Sequence, residues 1–306
     1  QILFFINRRG FAPYVLCKKC LNVFSCPNCS INLVYHKNKK QLLCHYCGYL
    51  SSLQRKCKKG DICDFVFSGP GVEKIAEEVK ILFPNKKTII FSSDTMNKAS
   101  GKDILDKIIL GEINILVGTQ LISKGFHFPS LNCIIVLDID LTSQGHDLRS
   151  AEKNLQLYHQ LSGRAGREGK SANVYFQTFN SKPEIIDQIT NEDPFKFLDH
   201  ELELRKRNNL PPYERFVSLI LSSENEKKLD QESLKLKKVI SNAINEKILG
   251  PVNAPIFKIN RKFRSRLLIR AKKTSKIQKK IKMILKKFKI QSGMKLTVDV
   301  DPISFN

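Results

Sequence analysis

Apolar positions change their spacing along the chain, and the changes mark its elements. Residues 2–6 and 133–137 are unbroken apolar runs, and 113–117 is apolar apart from Asn114. Short continuous runs of this kind suit strands buried on both faces, as in a parallel sheet. Between them the period becomes helical. Apolar residues at 72, 75, 76, 79 and 82 predict a helix over 72–82, after the turn Ser68-Gly69-Pro70-Gly71. Similar stripes predict helices over 102–110 and 148–161, and residues 88–91 and 172–177 read as further strands. Strand alternating with helix gives an α/β layer with a mostly parallel sheet.

The last hundred residues follow another order. A strand is expected over 216–222, then a long amphipathic helix over 227–248 broken by Gly250-Pro251. Strands over 256–260 and 266–270, a basic helix over 275–288 and a strand over 295–300 complete β-α-β-β-α-β, the ferredoxin-like order. The apolar stripe of the basic helix is 277, 281, 284, 285 and 288. A membrane-surface helix carries such a stripe too, but burial on the sheet is the simpler account. It leaves Lys279, Lys282 and Lys286 facing solvent.

With 306 residues there is room for about two domains at ~150 residues each. Values of 42% apolar and 26% charged exclude a wholly disordered chain. No apolar stretch approaches the ~20 residues of a membrane-spanning helix, and residues 1–20 lack the pattern of a signal peptide. No membrane partner is expected. A strand beginning directly after Gln1 suggests a start inside a domain. The net charge of +23 is unevenly spread: fifteen Lys or Arg and no acid fall between 258 and 289. An AT-rich genome explains why Lys outnumbers Arg, 39 to 13, but not the missing acids. A basic field of that kind favours nucleic acid.

Eight of the nine cysteines lie within 47 residues, and six form CxxC pairs: Cys17/Cys20, Cys26/Cys29 and Cys44/Cys47. A CxxC knuckle sets two thiolates on one side of a tight turn, suited to two corners of a tetrahedral zinc ion. Cys26-x2-Cys29-x14-Cys44-x2-Cys47 has zinc-ribbon spacing, with a short hairpin expected over 32–37 and 41–44. Four thiolates leave no place for water, so the role is structural. A second zinc would use Cys17, Cys20 and Cys57. A fourth ligand at the CxxC position would be residue 60, which is Gly60. Cys63 substitutes if the loop bulges, with His36 and His45 as weaker candidates. Cys133, in an apolar run, reads as a buried thiol.

Two loops carry other chemistry. Val117-Gly118-Thr119-Gln120-Leu121-Ile122-Ser123-Lys124-Gly125 follows an expected strand, and ligands bind at the carboxyl ends of such strands. Gln160-Leu161-Ser162-Gly163-Arg164-Ala165-Gly166-Arg167 presents two arginines at a helix end, and guanidinium forks suit phosphate oxygens. No G-x4-G-K-[ST] phosphate loop is present. Gly166–Ser171 imitates one, but its first position is wrong, and it falls between helix and strand. Asp138 ends an apolar strand as a magnesium ligand would. Without a phosphate loop it reads instead as a strand cap.

Gly-Thr-Gln-x4-Lys-Gly and Gln-x2-Gly-Arg-Ala-Gly-Arg look like motifs V and VI of superfamily-two helicases. The cysteine-rich insert, Asn7-Arg8-Arg9-Gly10-Phe11-Ala12-Pro13, Gly69-Pro70-Gly71, Leu137-Asp138-Ile139-Asp140, Leu210-Pro211-Pro212-Tyr213 and Asp299-Val300-Asp301-Pro302 narrow the family further. Together they resemble the C-terminal half of the bacterial primosomal protein N′ (PriA) family of replication-restart helicases. The resemblance implies an α/β, RecA-like second helicase lobe starting at 1–13 and continuing over 67–183. It implies an inserted zinc-binding region at 14–66, a helical linker at 184–214 and a ferredoxin-like C-terminal domain at 215–306.

It further implies one zinc on Cys26, Cys29, Cys44 and Cys47 and another on the first and last cysteine pairs, whose eighth cysteine would fall at Gly60. Arg164 and Arg167 would act on the ATP γ-phosphate, with Gln160, Gly163 and Gly125 lining the nucleotide site. Thr119, Gln120 and Lys124 would contact the DNA strand or couple it to nucleotide, and Lys279, Lys282 and Lys286 would add a basic DNA surface. Implied partners are forked or single-stranded DNA, replication-restart proteins and the single-stranded-DNA-binding protein, in the bacterial cytoplasm. ATP and magnesium enter only with a first lobe, so this sequence alone is expected not to hydrolyse ATP. The rivals are a non-catalytic remnant that binds DNA or protein, and a zinc-ribbon adaptor unrelated to ATP. The arginine motif argues against the adaptor.

Overall fold

The computed structural model of the chain describes residues 1–53, 57, 59–60, 63–96, 101–123, 126, 128–140, 147–164, 172–179 and 194–305. They divide into two units, one made of 1–25, 32–145 and 150–191, the other of 26–31, 146–149 and 192–306.

The first unit runs β1 (Ile2–Phe5), β2 (Tyr14–Cys17), β3 (Val34–His36), β4 (Gln41–Leu43), β5 (Leu50–Ser52), β6 (Phe65–Ser68), α1 (Val72–Leu82), β7 (Thr88–Phe91), the short α2 (Ser93–Met96), α3 (Gly101–Ile109), β8 (Ile115–Gly118), β9 (Cys133–Val136), α4 (Ser150–Ser162) and β10 (Asn173–Phe176). Five strands form a parallel sheet in the order β10-β9-β1-β8-β7. The apolar runs of the sequence are its three middle strands, with Ile2 in register with Ile115 on one side and Cys133 on the other.

Burial on both faces explains why those runs do not alternate. Ile115 and Val117 of β8 face Val72, Ala76 and Val79 of α1. Leu116 joins Leu3, Phe5, Ile134, Leu157 and Leu161 on the other face. Cutting a fully buried leucine such as Leu116 to alanine costs about 2–5 kcal/mol.

Two of the sequence motifs meet at the start of α1. The amides of Gly71, Val72 and Glu73 donate to the carbonyls of Phe11, Arg8 and Gly10, supplying partners that the first helical turn cannot make for itself. The approach is close: a Cβ on Gly71 would stand 2.2 Å from the Gly10 oxygen. Between these motifs lies the cysteine-rich insert. β2 and β6 pair antiparallel, with Tyr14 opposite Ser68, and β3-β4-β5 form a small sheet of their own. The expected hairpin is β3–β4. β5 escapes the apolar pattern because Leu50 is its one apolar residue.

The second unit contains α5 (Pro194–Arg207), β11 (Glu214–Ser223), α6 (Glu226–Ser241), β12 (Lys247–Ile259), β13 (Lys262–Lys272), α7 (Ile277–Lys287) and β14 (Met294–Val300). From β11 onward the order is β-α-β-β-α-β, in an antiparallel sheet arranged β12-β13-β11-β14. Val217, Leu219, Leu221, Leu267 and Ile269 from the strands, with Leu229, Leu236 and Ile240 from α6, form the core. Asn225 caps α6 by accepting from the Lys228 amide at 3.0 Å.

The helix expected to reach 248 ends at Ser241, and Gly250-Pro251 lies inside a strand. The physical reason is a register shift in β12 between Leu249 and Val252, which absorbs the pair as an irregularity rather than a break. Gly250 has φ +95, and a Cβ there would meet the Arg266 carbonyl at 2.6 Å. Among the described residues no helix is long and apolar enough to cross a membrane.

Candidate functional site

The four ribbon cysteines come together. Sulfur atoms of Cys26, Cys29, Cys44 and Cys47 lie within 4.8 Å of one another, and those of Cys17, Cys20 and Cys57 do likewise. Tight turns produce both knuckles of the first set. The Cys26 amide donates to the Ile31 carbonyl, and Gly48, at φ +76, donates back to Cys44. Among the described residues no disulfide joins any of the nine cysteines.

Backbone amides aim at the sulfurs: Asn28 N donates to Cys26 Sγ at 3.4 Å and Asn260 N to Cys29 Sγ at 3.3 Å. Donors directed at sulfur suit thiolates, the form in which cysteine holds zinc. Four thiolates without a carboxylate or water position suit a structural zinc rather than a hard, oxygen-seeking cation.

In the second set Cys17 Sγ and Cys57 Sγ are 3.8 Å apart, about the spacing of two corners of a zinc tetrahedron with ~2.3 Å bonds. The Cys20 amide, helped by those of Lys19 and Asp64, overcomes burial and pulls the Cys17 thiol down to about 6. The Lys59 amide also pulls on Cys57, but Cys20, burial and Cys17 together hold that thiol up. Cys63 sits against both Cys17 and Cys57. Burial, then these two neighbours, push it up to about 12. The sulfurs that lie within 4.8 Å of one another in this set are those of Cys17, Cys20 and Cys57, and Cys63 is not among them.

His36 is used elsewhere. Its Nδ1 lies 2.9 Å from Glu73 Oε1 and its Nε2 lies 3.2 Å from His45 Nε2, tying β3 to α1. Neither histidine joins a cysteine cluster among the described residues. Cys133 is half-buried rather than fully buried, and burial pushes its thiol up.

Beyond the carboxyl end of β8, residues 120–123 form a 3-10 turn. Gln120 is exposed. Thr119 is not: it is 5% exposed, with its amide donating to the Phe91 carbonyl. Following a strand buried on both faces, it continues the core. Lys124 and Gly125 lie outside the described residues, as does Arg167.

At the end of α4, Gln160 and Gly163 are exposed. Arg164 turns inward. Its Nη1 donates to the Phe126 carbonyl at 2.8 Å and its Nη2 to the Ser123 carbonyl at 2.9 Å. The guanidinium braces the loop after β8. The physical reason is that the irregular loop after β8 leaves carbonyls without secondary-structure partners. Asp138, two residues past β9, has φ 55, while Asp140 accepts from Thr178 Oγ1 and the Phe179 amide.

In the second unit Lys279, Lys282 and Lys286 are all exposed, as the helical stripe implied, with Ile277 and Ile281 buried beneath. Other cations of the basic segment are committed. Lys280 pairs with Glu246, Arg270 with Glu214, and Arg266 with the carbonyl and ring of Phe305. Sequence reasoning missed these partners because no spacing rule links residues so far apart.

Two family models match. Residues 206–303 match "Primosomal protein N C-terminal domain" and residues 26–51 match "PriA DNA helicase Cys-rich region (CRR) domain". Replication restart protein PriA of Rickettsia felis is 41% identical over 310 residues, and that of Rickettsia prowazekii 40% over 312. Each alignment takes in 100% of this chain and 47% of the relative, so the chain spans about half the length of the curated relatives it matches. The chain is thus related along its whole length to the PriA replication restart proteins and corresponds to their C-terminal half.

Proposed function

We propose that this chain is the DNA- and zinc-binding C-terminal half of a replication-restart DNA helicase. The match of the whole chain to about half the length of PriA proteins carries the reading. On it, the parallel-sheet unit is a RecA-like second lobe, beginning within 1–13 and resuming at 67–183, and the unit from 215 onward is ferredoxin-like. Two structural zinc ions are held by Cys26, Cys29, Cys44 and Cys47, and by Cys17, Cys20, Cys57 and Cys63. Their chemistry is to cross-link the turns that carry them.

Gln120 and Lys124 meet the DNA strand, and Lys279, Lys282 and Lys286 add sequence-independent phosphate contacts. Arg167 faces ATP, with Gln160, Gly163 and Gly125 beside it, while Arg164 holds the neighbouring loop in place. A cytoplasmic site of action follows from the DNA substrate. Replication-restart proteins and the single-stranded-DNA-binding protein are the partners this reading assigns.

Purified chain should bind single-stranded DNA tightly at low salt and turn over no ATP by itself, because the sequence holds no G-x4-G-K-[ST] phosphate loop. Absence of DNA binding at 50 mM salt would sink the proposal. DNA-stimulated ATP turnover that co-purifies through every column would overturn its assignment of the phosphate cradle to another lobe. The missing phosphate loop also favours a second reading, a non-catalytic DNA- or protein-binding module. Supplying a Walker A lobe separates the two: turnover restored by that lobe, and lost again in Arg167→Ala, supports the helicase.

A further inference from the structure

Residues 26–31 belong to the same unit as the β12–β13 hairpin, and the hairpin tip is where they meet. Asn260 and Arg261 form the tip, with φ 47 and 66, the left-handed pair of a two-residue turn. In such a turn the two central amides have no partner within the hairpin and must find one outside it.

Both do so on the knuckle. Asn260 N donates to Cys29 Sγ at 3.3 Å, and Arg261 N to the Asn28 carbonyl at 2.8 Å. The flanks add to the contact. The Ser30 amide donates to the Lys258 carbonyl, and the Lys258 amide to Ser30 Oγ, each at 2.9 Å. Arg261 Nε reaches Asn28 Oδ1 at 3.1 Å, and Lys258 Nζ reaches the Pro27 carbonyl at 3.3 Å.

We infer that the β12–β13 hairpin tip is the outer shell of the Cys26–Cys29 knuckle, and that zinc loading and tip docking are coupled. The inference rests on the zinc reading above. An amide directed at a metal-bound thiolate stabilises its charge, and outer-shell partners of this kind are worth about 10–100-fold in metal affinity. Coupling is reciprocal, so what the tip gives to zinc retention, zinc returns as docking of the tip. The tip thereby reports the metal state of the knuckle to the β12–β13 ribbon.

The test uses the full chain, zinc-loaded and after stripping with a chelator, with zinc measured in both samples. Amide exchange of residues 258–262 should slow at least tenfold on loading, while β11 changes little. A second measurement follows zinc release to a chromogenic chelator. Asn260→Pro removes the donor amide and the left-handed turn, and should speed release from one of two zinc ions about tenfold. Arg261→Gly keeps both amides and should release as wild type does. Loaded protein whose 258–262 exchange is unchanged, or Asn260→Pro releasing zinc at the wild-type rate, overturns the coupling but leaves the zinc reading standing. Protein that binds no zinc overturns both.

Discussion

The guanidinium of Arg164 holds the carbonyl of Ser123 at 2.9 Å and, through its other Nη, that of Phe126 at 2.8 Å. Both bonds are charge-assisted and part-buried, so removing them leaves two loop carbonyls short of a donor. Arg164→Ala should therefore destabilise the first unit by about 1–3 kcal/mol in urea unfolding. Arg164→Lys keeps the charge but not the fork, and should recover less than half of that loss. A change near zero for Arg164→Ala would show that the two bonds do not brace the loop.

Metal analysis of purified chain should give two zinc ions per molecule. Cys44→Ser should lower this to one, and Cys63→Ser should weaken or empty the other site. Two retained ions in Cys63→Ser would mean that the second site closes without that thiol.

Glu246 anchors the start of α7, accepting from Lys280 Nζ at 2.9 Å and Ser275 Oγ at 2.8 Å. The Lys280 bond, reinforced by Ser275 and opposed by burial, holds its carboxyl below the usual carboxylate value. A carboxyl lowered in the folded state contributes stability above its unfolded value, near 4.5, and loses it as pH falls through the folded value. Wild type and Glu246→Gln should thus differ in urea midpoint at pH 6 and converge as pH falls through the lowered folded value. A difference that does not shrink at all on acidification would assign the effect to packing rather than charge.

DNA affinity should fall with salt at a logarithmic slope of about 0.7–0.9 per phosphate contacted. Charge reversal at the exposed Lys279, Lys282 and Lys286 should flatten that slope and weaken all sequences alike. An unchanged slope in the triple variant would remove α7 from the DNA surface.

Local spacing made α1 and β7 legible to the residue, because each has a clean apolar period and a turn before it. β12 was misread, since Gly250-Pro251 marks a break unless a facing strand is there to carry it past the bulge. The cysteine clusters were legible because CxxC spacing is itself a geometry. Arg164 was not: its motif names a residue type but not the direction its fork turns, which the carbonyls of Ser123 and Phe126 decide. The bond from Asn260 to Cys29 crosses 231 positions, beyond any local pattern.

Pairing of β2 with β6 brings Tyr14 and Ser68 face to face, so the segment between them starts and ends at one place in the fold. An excursion shaped this way is a handle on the sheet rather than a part of it. The register of β1 with β8 does not depend on how long the handle is, and loop-closure cost grows only with the logarithm of length, about 0.6 kcal/mol per doubling. Evolution can therefore lengthen, trim or exchange the metal-bearing segment with little disturbance to the strands behind it. A graft that joins Tyr14 to Ser68 by a tight turn should keep the parallel sheet while losing the cysteine clusters, the His36–Glu73 contact and the docking site of the hairpin tip.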